Sequence, residues 1–508
     1  MMKRSIVICS LIFVFSLIAG NVWSGTEGNP NTYYGQGAGV STTGLHDAFF
    51  GYLAGSANTT GYSNTFVGAY AGLSNTTGYW NTFLGVSAGR NNTGAISNTF
   101  VGSGAGEFNT TGYSNTYLGT GAGQANTIGY YNTFLGAGAG LVNTTGDRNV
   151  FVGTGAGYTT TTGVRNTFIG SGAGYLNSTG AYNTFVGNGA GYNTTSSNNT
   201  FIGHFAGLTN TTGNFNTFVG DLAGQANTTG KNNTFLGNQA GYTNTTGYYN
   251  TFFGNAAGYA NTIGYANNFI GYGAGYSNTD GSLNSFTGYF AGYFNTTGSN
   301  NATLGNRSGY KNTTGSNNTY FGTFAGYNNL TGNGNVFIGY KAGFNETGSD
   351  KLYIDNSAAS APLIYGDFAA NTVSINGNLG IAVKAPIHPI QTAGGAYVTT
   401  GGVWTNASSR ELKSNIQGLK TEDAMKTLQG LQPVTFNYKS APDESHVGFI
   451  AEDVPDLVAT KDRKGLSSMD IVTILTKVVQ EQQRAMHEQQ KIIAELSAKV
   501  SDLEKTRK

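Results

Sequence analysis

The chain has 508 residues, of which 79 are glycine, only 10% are charged, and the net charge is +1. So little charge gives no support for binding to nucleic acid or to an anionic membrane surface. The single cysteine, Cys9, lies near the N-terminus, which excludes a disulfide framework and a thiolate metal site from the rest of the chain. The sequence predicts no metal and no cofactor.

Residues 1–24 have the pattern of a secretory signal peptide. Lys3 and Arg4 form a positive start, and the apolar run 6–19 that follows is too short to span a bilayer. Val22 and Ser24 can occupy the positions before a cleavage site. We therefore expect a secreted or cell-surface protein. An uncleaved membrane anchor is the alternative.

From residue 31 to residue 349 a 17-residue unit, close to N-T-F-V-G-x-x-A-G-x-x-N-T-T-G-x-x, recurs about nineteen times. A short fixed period excludes an ordinary globular core and predicts stacked coils. In one unit, 64–68 is a β-prone run and 71–74 a second, weaker one, with Gly and Asn at the corners. The predicted fold is therefore mainly β, an elongated parallel β-solenoid over residues 25–349.

Each predicted strand carries two neighbouring apolar residues, such as Phe66 and Val67, which point to opposite faces. One face fills the coil, so the other is expected to pack against a neighbouring chain, and we expect a homotrimer. Aligned asparagines, among them Asn75 and Asn109, are expected to form ladders between coils. Their Asn-Thr-Thr context also matches the acceptor pattern for glycosylation. His204 is interpreted as surface variation without a carboxylate neighbour.

These units resemble the head repeats of trimeric autotransporter adhesins, which form a β-roll. The sequence departs from that family because no C-terminal amphipathic β-strands follow to build an outer-membrane anchor. No integral membrane anchor is therefore expected. The sequence leaves open whether the rod binds a carbohydrate or a protein receptor.

Residues 350–407 are predicted to be a neck of short strands, ending in an exposed stretch that contains Trp404. The charged residues then become dense, and a small α+β module is expected from 408 onward. It contains a helix over 421–431, strands over 433–438 and 446–450, and a long helix from Ser468. That helix has apolar residues at alternating spacings of three and four, from Val472 to Leu503, which predicts a coiled coil over 468–508.

At this point the sequence resembles the auto-cleaving intramolecular chaperone domain at the C-termini of phage tailspikes, endosialidases and tail fibres. The family motif is a Ser, usually followed by Asp, then Arg, a Lys five residues after the Ser, and an Ile. Ser408, Arg410, Lys413 and Ile416 match it, while Ser409 stands where Asp is usual. Later blocks also match, and the resemblance covers residues 408–480.

The resemblance implies that Ser408 is the nucleophile, that Lys413 is the general base, and that the broken bond is Ala407–Ser408. It also implies a trimer that assists folding of the upstream rod and then cuts itself off. From the residues themselves, Arg410 is expected either to orient the loop or to pair with Glu411 in a salt bridge. His446 is interpreted as an ordinary surface histidine.

Three functions remain open at this stage. The first is a secreted fibrous rod whose C-terminal domain is a folding chaperone and self-cleaving serine endopeptidase. The second is a surface adhesin whose C-terminal module stays attached as a trimerisation clasp, because Ser409 or a poorly placed Lys413 has silenced cleavage. The third is a phage-derived tail fibre, which fits the C-terminus but conflicts with the signal peptide.

Overall fold

The computed structural model describes residues 30–507, so the predicted signal peptide lies outside the described residues. The chain divides into two compact units that meet at Leu379/Gly380, within the predicted neck. The first unit is a parallel β-solenoid of about nineteen 17-residue turns, as predicted. Each coil contributes one three-residue strand that pairs in parallel and in register with the strands of the coils before and after it.

The coil strands are β1 (Thr32–Tyr34), β2 (Ala48–Phe50), β3 (Thr65–Val67), β4 (Thr82–Leu84), β5 (Thr99–Val101), β6 (Thr116–Leu118), β7 (Thr133–Leu135), β8 (Val150–Val152), β9 (Thr167–Ile169), β10 (Thr184–Val186), β11 (Thr200–Ile202), β12 (Thr217–Val219), β13 (Thr234–Leu236), β14 (Thr251–Phe253), β15 (Asn268–Ile270), β16 (Ser285–Thr287), β17 (Ala302–Leu304), β18 (Thr319–Phe321) and β19 (Val336–Ile338). The sheet continues through β20 (Lys351–Ile354), which is parallel to β19, and then β21 (Ile364–Asp367) and β22 (Thr372–Ile375), which are antiparallel.

The interior of the solenoid is a stack of aromatic rings. The middle residue of each strand points inward, and Phe134, Phe151 and Phe168 are fully buried with ring centroids 4.7 and 4.8 Å apart. One small alanine in most coils, such as Ala156, is buried beside the ring. The stack is interrupted where Thr303 replaces the aromatic residue, and the core is divided there into two clusters. The pairing of the strands and the stacking of the rings together keep each coil in register with the next.

The second strand expected in each coil is wrong. Residues 69–74 form a turn, because Tyr70 and Gly72 adopt left-handed backbone angles, with φ of 61° and 59°, that an extended strand does not allow. Leu73 N–H and Asn75 N–H donate back to Tyr70 O and Gly72 O at 3.2 and 3.0 Å. The turn still stacks on the next coil, since Gly72 N–H donates to Ala88 O at 3.0 Å.

The predicted asparagine ladder is confirmed. The Nδ2 group of Asn126 donates to Asn109 Oδ1 at 2.8 Å, and Asn109 in turn donates to Asn92 at 3.0 Å. A second ladder was not predicted: the Oδ1 atom of Asn81 accepts the N–H of Asn98 at 3.0 Å. These asparagines are fully buried, so the structure favours the ladder over glycosylation at these positions.

The first of these ladders has a fault in the middle of the rod. Threonines occupy the asparagine position at Thr160 and Thr194, and neither can donate an amide to the coil before it. As a result Asn143 Oδ1 and the polar atoms of Thr160, Asn177 and Thr194 are buried without a hydrogen-bond partner among residues 30–507. Each buried polar atom left unpaired costs about 1–3 kcal/mol.

Replacing Thr160 by asparagine is expected to stabilise the rod by about 1–3 kcal/mol, because the new amide gives Asn143 Oδ1 its missing donor. Denaturant unfolding followed by circular dichroism measures the change. The matched control is Thr162→Asn, at an exposed position of the same coil. Equal stability of the two variants would show that the fault costs nothing.

Asp47 replaces the asparagine of the second ladder in the second coil and is 1% exposed. Its Oδ1 accepts the N–H of Asn64 at 2.9 Å, and Asn58 Nδ2 lies 3.1 Å from its Oδ2. Burial raises the pKa of Asp47 to about 6, although these hydrogen bonds and nearby His46 oppose the shift. Since the folded state holds this proton more tightly than the unfolded chain, protonation stabilises the first coils.

That stabilisation is expected to be fully present below about pH 4 and to be lost as the pH rises through about 6. Amide hydrogen exchange of residues 44–64 should therefore be faster at pH 7.5 than at pH 4.5 after correction for intrinsic rates. In Asp47→Asn this excess should disappear, because the amide cannot ionise. An unchanged pH dependence in that variant would locate the titrating group elsewhere.

The second unit contains two small sheets and three helical segments. Its first sheet consists of β23 (Leu379–Ile381), β24 (Ile390–Thr392), β25 (Tyr397–Val398) and β26 (Trp404–Thr405), and its second of β27 (Val434–Tyr438) and β28 (Ala441–Gly448). The helical segments are a 3-10 turn (Arg410–Leu412), a short helix (Thr421–Gly430) and a long helix (Ser468–Thr506).

The long helix packs only through its first part. Ile474 and Val478 are buried against Ala424 of the short helix and against Val454 and Val458. The predicted coiled-coil face remains outside this core, with Val472 49% and Leu496 54% exposed. The single chain leaves this face without a partner among residues 30–507, and the coiled coil stays a prediction. Within residues 30–507 we find no helix with the length and hydrophobicity to cross a membrane.

Candidate functional site

The bond predicted to be cleaved follows the end of a short sheet. Strands β25 and β26 pair antiparallel, with Tyr397 opposite Thr405 and Val398 opposite Trp404. Beyond β26 the Nε1–H of Trp404 donates to Asn406 Oδ1 at 2.9 Å. These contacts position the chain as far as Asn406, the residue before Ala407.

The residues after the bond form a 3-10 turn that reverses the chain. Ser409 caps this turn, since its Oγ accepts the N–H of Glu411 at 3.3 Å. Leu412 N–H and Lys413 N–H donate to Ser409 O and Arg410 O, both at 3.1 Å. A side-chain oxygen at the first position is what such a turn requires, and an aspartate supplies the same group. Ser409 therefore makes the kind of capping hydrogen bond that the aspartate usual at this position of the motif could make.

The turn brings the two predicted catalytic side chains together. Lys413 Nζ donates a hydrogen bond to Ser408 Oγ at 2.8 Å. Nucleophile and base must lie within about 2.6–3.2 Å of each other, so the distance suits proton transfer from the hydroxyl to the amine. Both residues are exposed in the single chain.

A tight turn between β24 and β25 contacts both sides of this bond. Gly395, with φ of +82°, lies so close that a side chain there would meet Ala407 Cβ at 3.0 Å and Leu412 Cδ1 at 3.4 Å. The Gly394–Gly395 pair is a turn signal that the sequence interpretation did not use. Gly395 and the Ser409 cap are thus site features that sequence reasoning missed.

Other residues singled out in the sequence stand apart from the serine–lysine pair. Among residues 30–507 no ion pair joins Arg410 to Glu411, so the expected salt bridge is wrong; both side chains extend into solvent from the turn. Ile416 is 55% exposed. His446 packs near Phe436 and Tyr438 on the second sheet, in agreement with a surface role.

His204 does have a carboxylate neighbour, contrary to expectation. Its Nδ1 lies 2.9 Å from Asp221 Oδ1, because residues 17 apart are stacked in adjacent coils. Both side chains are about half exposed, so surface variation of the rod explains the pair. Within residues 30–507 no group of three or more histidine, cysteine or acidic residues is placed to hold a metal ion.

Comparison with known proteins identifies the C-terminal region. Residues 408–461 match the family model Peptidase_S74, described as chaperone of endosialidase. The match begins at Ser408, the residue that follows the predicted cleavage point. The resemblance inferred from the sequence is therefore confirmed over this segment. Searches of curated proteins and of solved structures found no match.

Proposed function

We propose that the protein is a secreted, fibrous β-solenoid whose C-terminal domain assembles three chains, assists folding of the rod, and then cleaves itself off at Ala407–Ser408. The observation that carries the proposal is the 2.8 Å contact between Lys413 Nζ and Ser408 Oγ at the first residue of the endosialidase-chaperone match. The family match over residues 408–461 and the local geometry both support this proposal.

The chemistry of this cleavage needs only groups of the chain and water. Neutral Lys413 takes the proton of the Ser408 hydroxyl, and Oγ attacks the carbonyl carbon of Ala407. The Ala407–Ser408 C–N bond breaks, and the lysine ammonium returns its proton to the leaving nitrogen. An ester then joins Ala407 to Ser408 Oγ, and water hydrolyses it to a carboxylate and the free hydroxyl.

A lysine acts as a base only in its neutral form, which burial or a nearby positive charge favours. Lys413 and Arg410 are exposed in the single chain, so packing of chains around the turn supplies the burial that one chain lacks. Cleavage then depends on assembly, so the chaperone domain is released only after the chains have come together.

A folding aid suits a rod of this kind. Parallel pairing between strands 17 residues apart exposes unpaired edges until each coil closes on the last, which makes aggregation a competitor of folding. Chains held together at one end have a high effective concentration for each other. Loss of the module afterwards makes unfolding hard to reverse, so the lifetime of the rod then depends on its own barrier to unfolding.

Denaturing electrophoresis of the purified protein tests the proposal. We expect two products, one of which is the 101-residue fragment 408–508. A single full-length band from a folded, oligomeric protein would reject self-cleavage. It would support instead the surface adhesin with an attached clasp.

A further inference from the structure

One exposed surface of the rod is apolar along its whole length. The last residue of each strand from β2 to β19 points outward, and we call this line of residues, from Phe50 to Ile338, the outer row. Every member is apolar except Thr287. Leu84, Leu118 and Phe321 are 46%, 48% and 54% exposed.

Charge is excluded from the same surface. The first residue of each strand shares the outward face, and it is threonine in most coils and never charged. All charged residues of the segment 31–348 lie outside β1–β19; Asp47 is buried in the second ladder, and the others lie on turns and loops, as Arg90, Glu107 and Lys231 do. Removing water from a surface without charged groups costs little free energy, whereas the charged side chains on the turns are stabilised by contact with water.

The surface is large enough to hold a stable partner. About nineteen strands at ~4.8 Å each give a length of roughly 90 Å, and three residues give a width of about 10 Å. The product is roughly 900 Å², against about 800 Å² per partner in a standard protein interface. This area includes both the apolar outer row and the uncharged, mostly threonine row beside it.

The spacing and length of the repeat determine which kind of partner can cover the outer row. An object that matches the outer row through all of its coils needs the same ~4.8 Å spacing over the same length. Another copy of this chain has both properties. Copies aligned in parallel at their C-terminal ends place each coil opposite its own counterpart, so side chains of equal size meet.

We infer that the outer row is the surface on which the rods of this protein pack against one another, in parallel and in register. The inference rests on the proposed function only for the parallel alignment. It assigns the oligomer contact to one face of the solenoid and leaves the tyrosine-bearing turn faces in solvent.

Cross-linking of the full chain tests this assignment. Ile169 belongs to the outer row and Leu176 lies on a turn of the same coil, and both are 40% exposed. We expect a short bismaleimide to link chains of Ile169→Cys in pairs on a denaturing gel, up to about two thirds of the chains in a trimer. Leu176→Cys and the wild type, whose only cysteine is Cys9, should remain unlinked.

Two results would overturn the inference: equal linking of both variants, or no linking of Ile169→Cys. Self-cleavage is read on the same gel from the 101-residue fragment, independently of the linked bands. Failure to cleave would therefore count against the proposed function and leave the packing surface standing.

Discussion

Ser408→Ala is expected to leave the chain uncut while the rod and module still fold. The hydroxyl of Ser408 is exposed and is paired with Lys413, so its loss removes the nucleophile without opening a core. Loss of the catalytic serine lowers the rate of a serine protease by about 10⁶-fold, which here means no visible product. Lys413→Ala should have the same effect, because the hydroxyl then has no base.

The matched controls are Ser414→Ala and Lys420→Ala, which remove an exposed serine and an exposed lysine near the pair. Both should be cut like the wild type in a time course on denaturing gels. Continued cleavage of Ser408→Ala at the same bond would show that the nucleophile is another group. Circular dichroism of each variant verifies that the fold is kept.

Gly102→Ala is expected to destabilise the rod by about 3 kcal/mol or more. Gly102 has φ of 136°, a conformation open almost only to glycine, and a Cβ there would overlap the carbonyl of Gly119 in the next coil. The backbones must separate to make room, and a repeat protein depends on each contact between neighbours. Thermal unfolding followed by circular dichroism measures the loss.

Gly104→Ala is the control in the same coil. Gly104 has φ of 67°, but a Cβ there meets only the side chains of Gln124 at 3.5 Å and Glu107 at 3.7 Å, both at ordinary contact distance. Other coils carry Tyr70 and Leu222 at the equivalent position with similar angles. We expect a loss of about 1 kcal/mol. Equal losses in the two variants would contradict the close approach of the coils at Gly102.

The solenoid could be predicted because the 17-residue period of the sequence is the length of one stacked coil. Position in the repeat told which asparagines align and that Phe66 and Val67 lie on opposite faces, while the structure shows that Phe66 is the one that faces inward. The second strand was mispredicted at 71–74 because a short run with an apolar residue such as Leu73 does not reveal the turn that it forms. The left-handed residues of this turn are fixed by contacts between coils, which a single unit does not reveal.

For the candidate site, the motif supplied the residues and the structure supplied the reason for their spacing. A separation of five residues is meaningless until the 3-10 turn at Arg410–Leu412 folds Lys413 back onto Ser408. The contact from Gly395 is absent from any motif, since it comes from a turn earlier in the chain. The Asp221 neighbour of His204 was missed because the pair was sought along the sequence and not one coil away.

The intact mass of the small fragment tests the central claim most directly. If Ser408 attacks the carbonyl of Ala407 and the ester is hydrolysed, the fragment consists of residues 408–508 with a free amino group and an unmodified serine at its start. A fragment that begins at another residue would contradict the account, as would a folded assembly that contains only full-length chains.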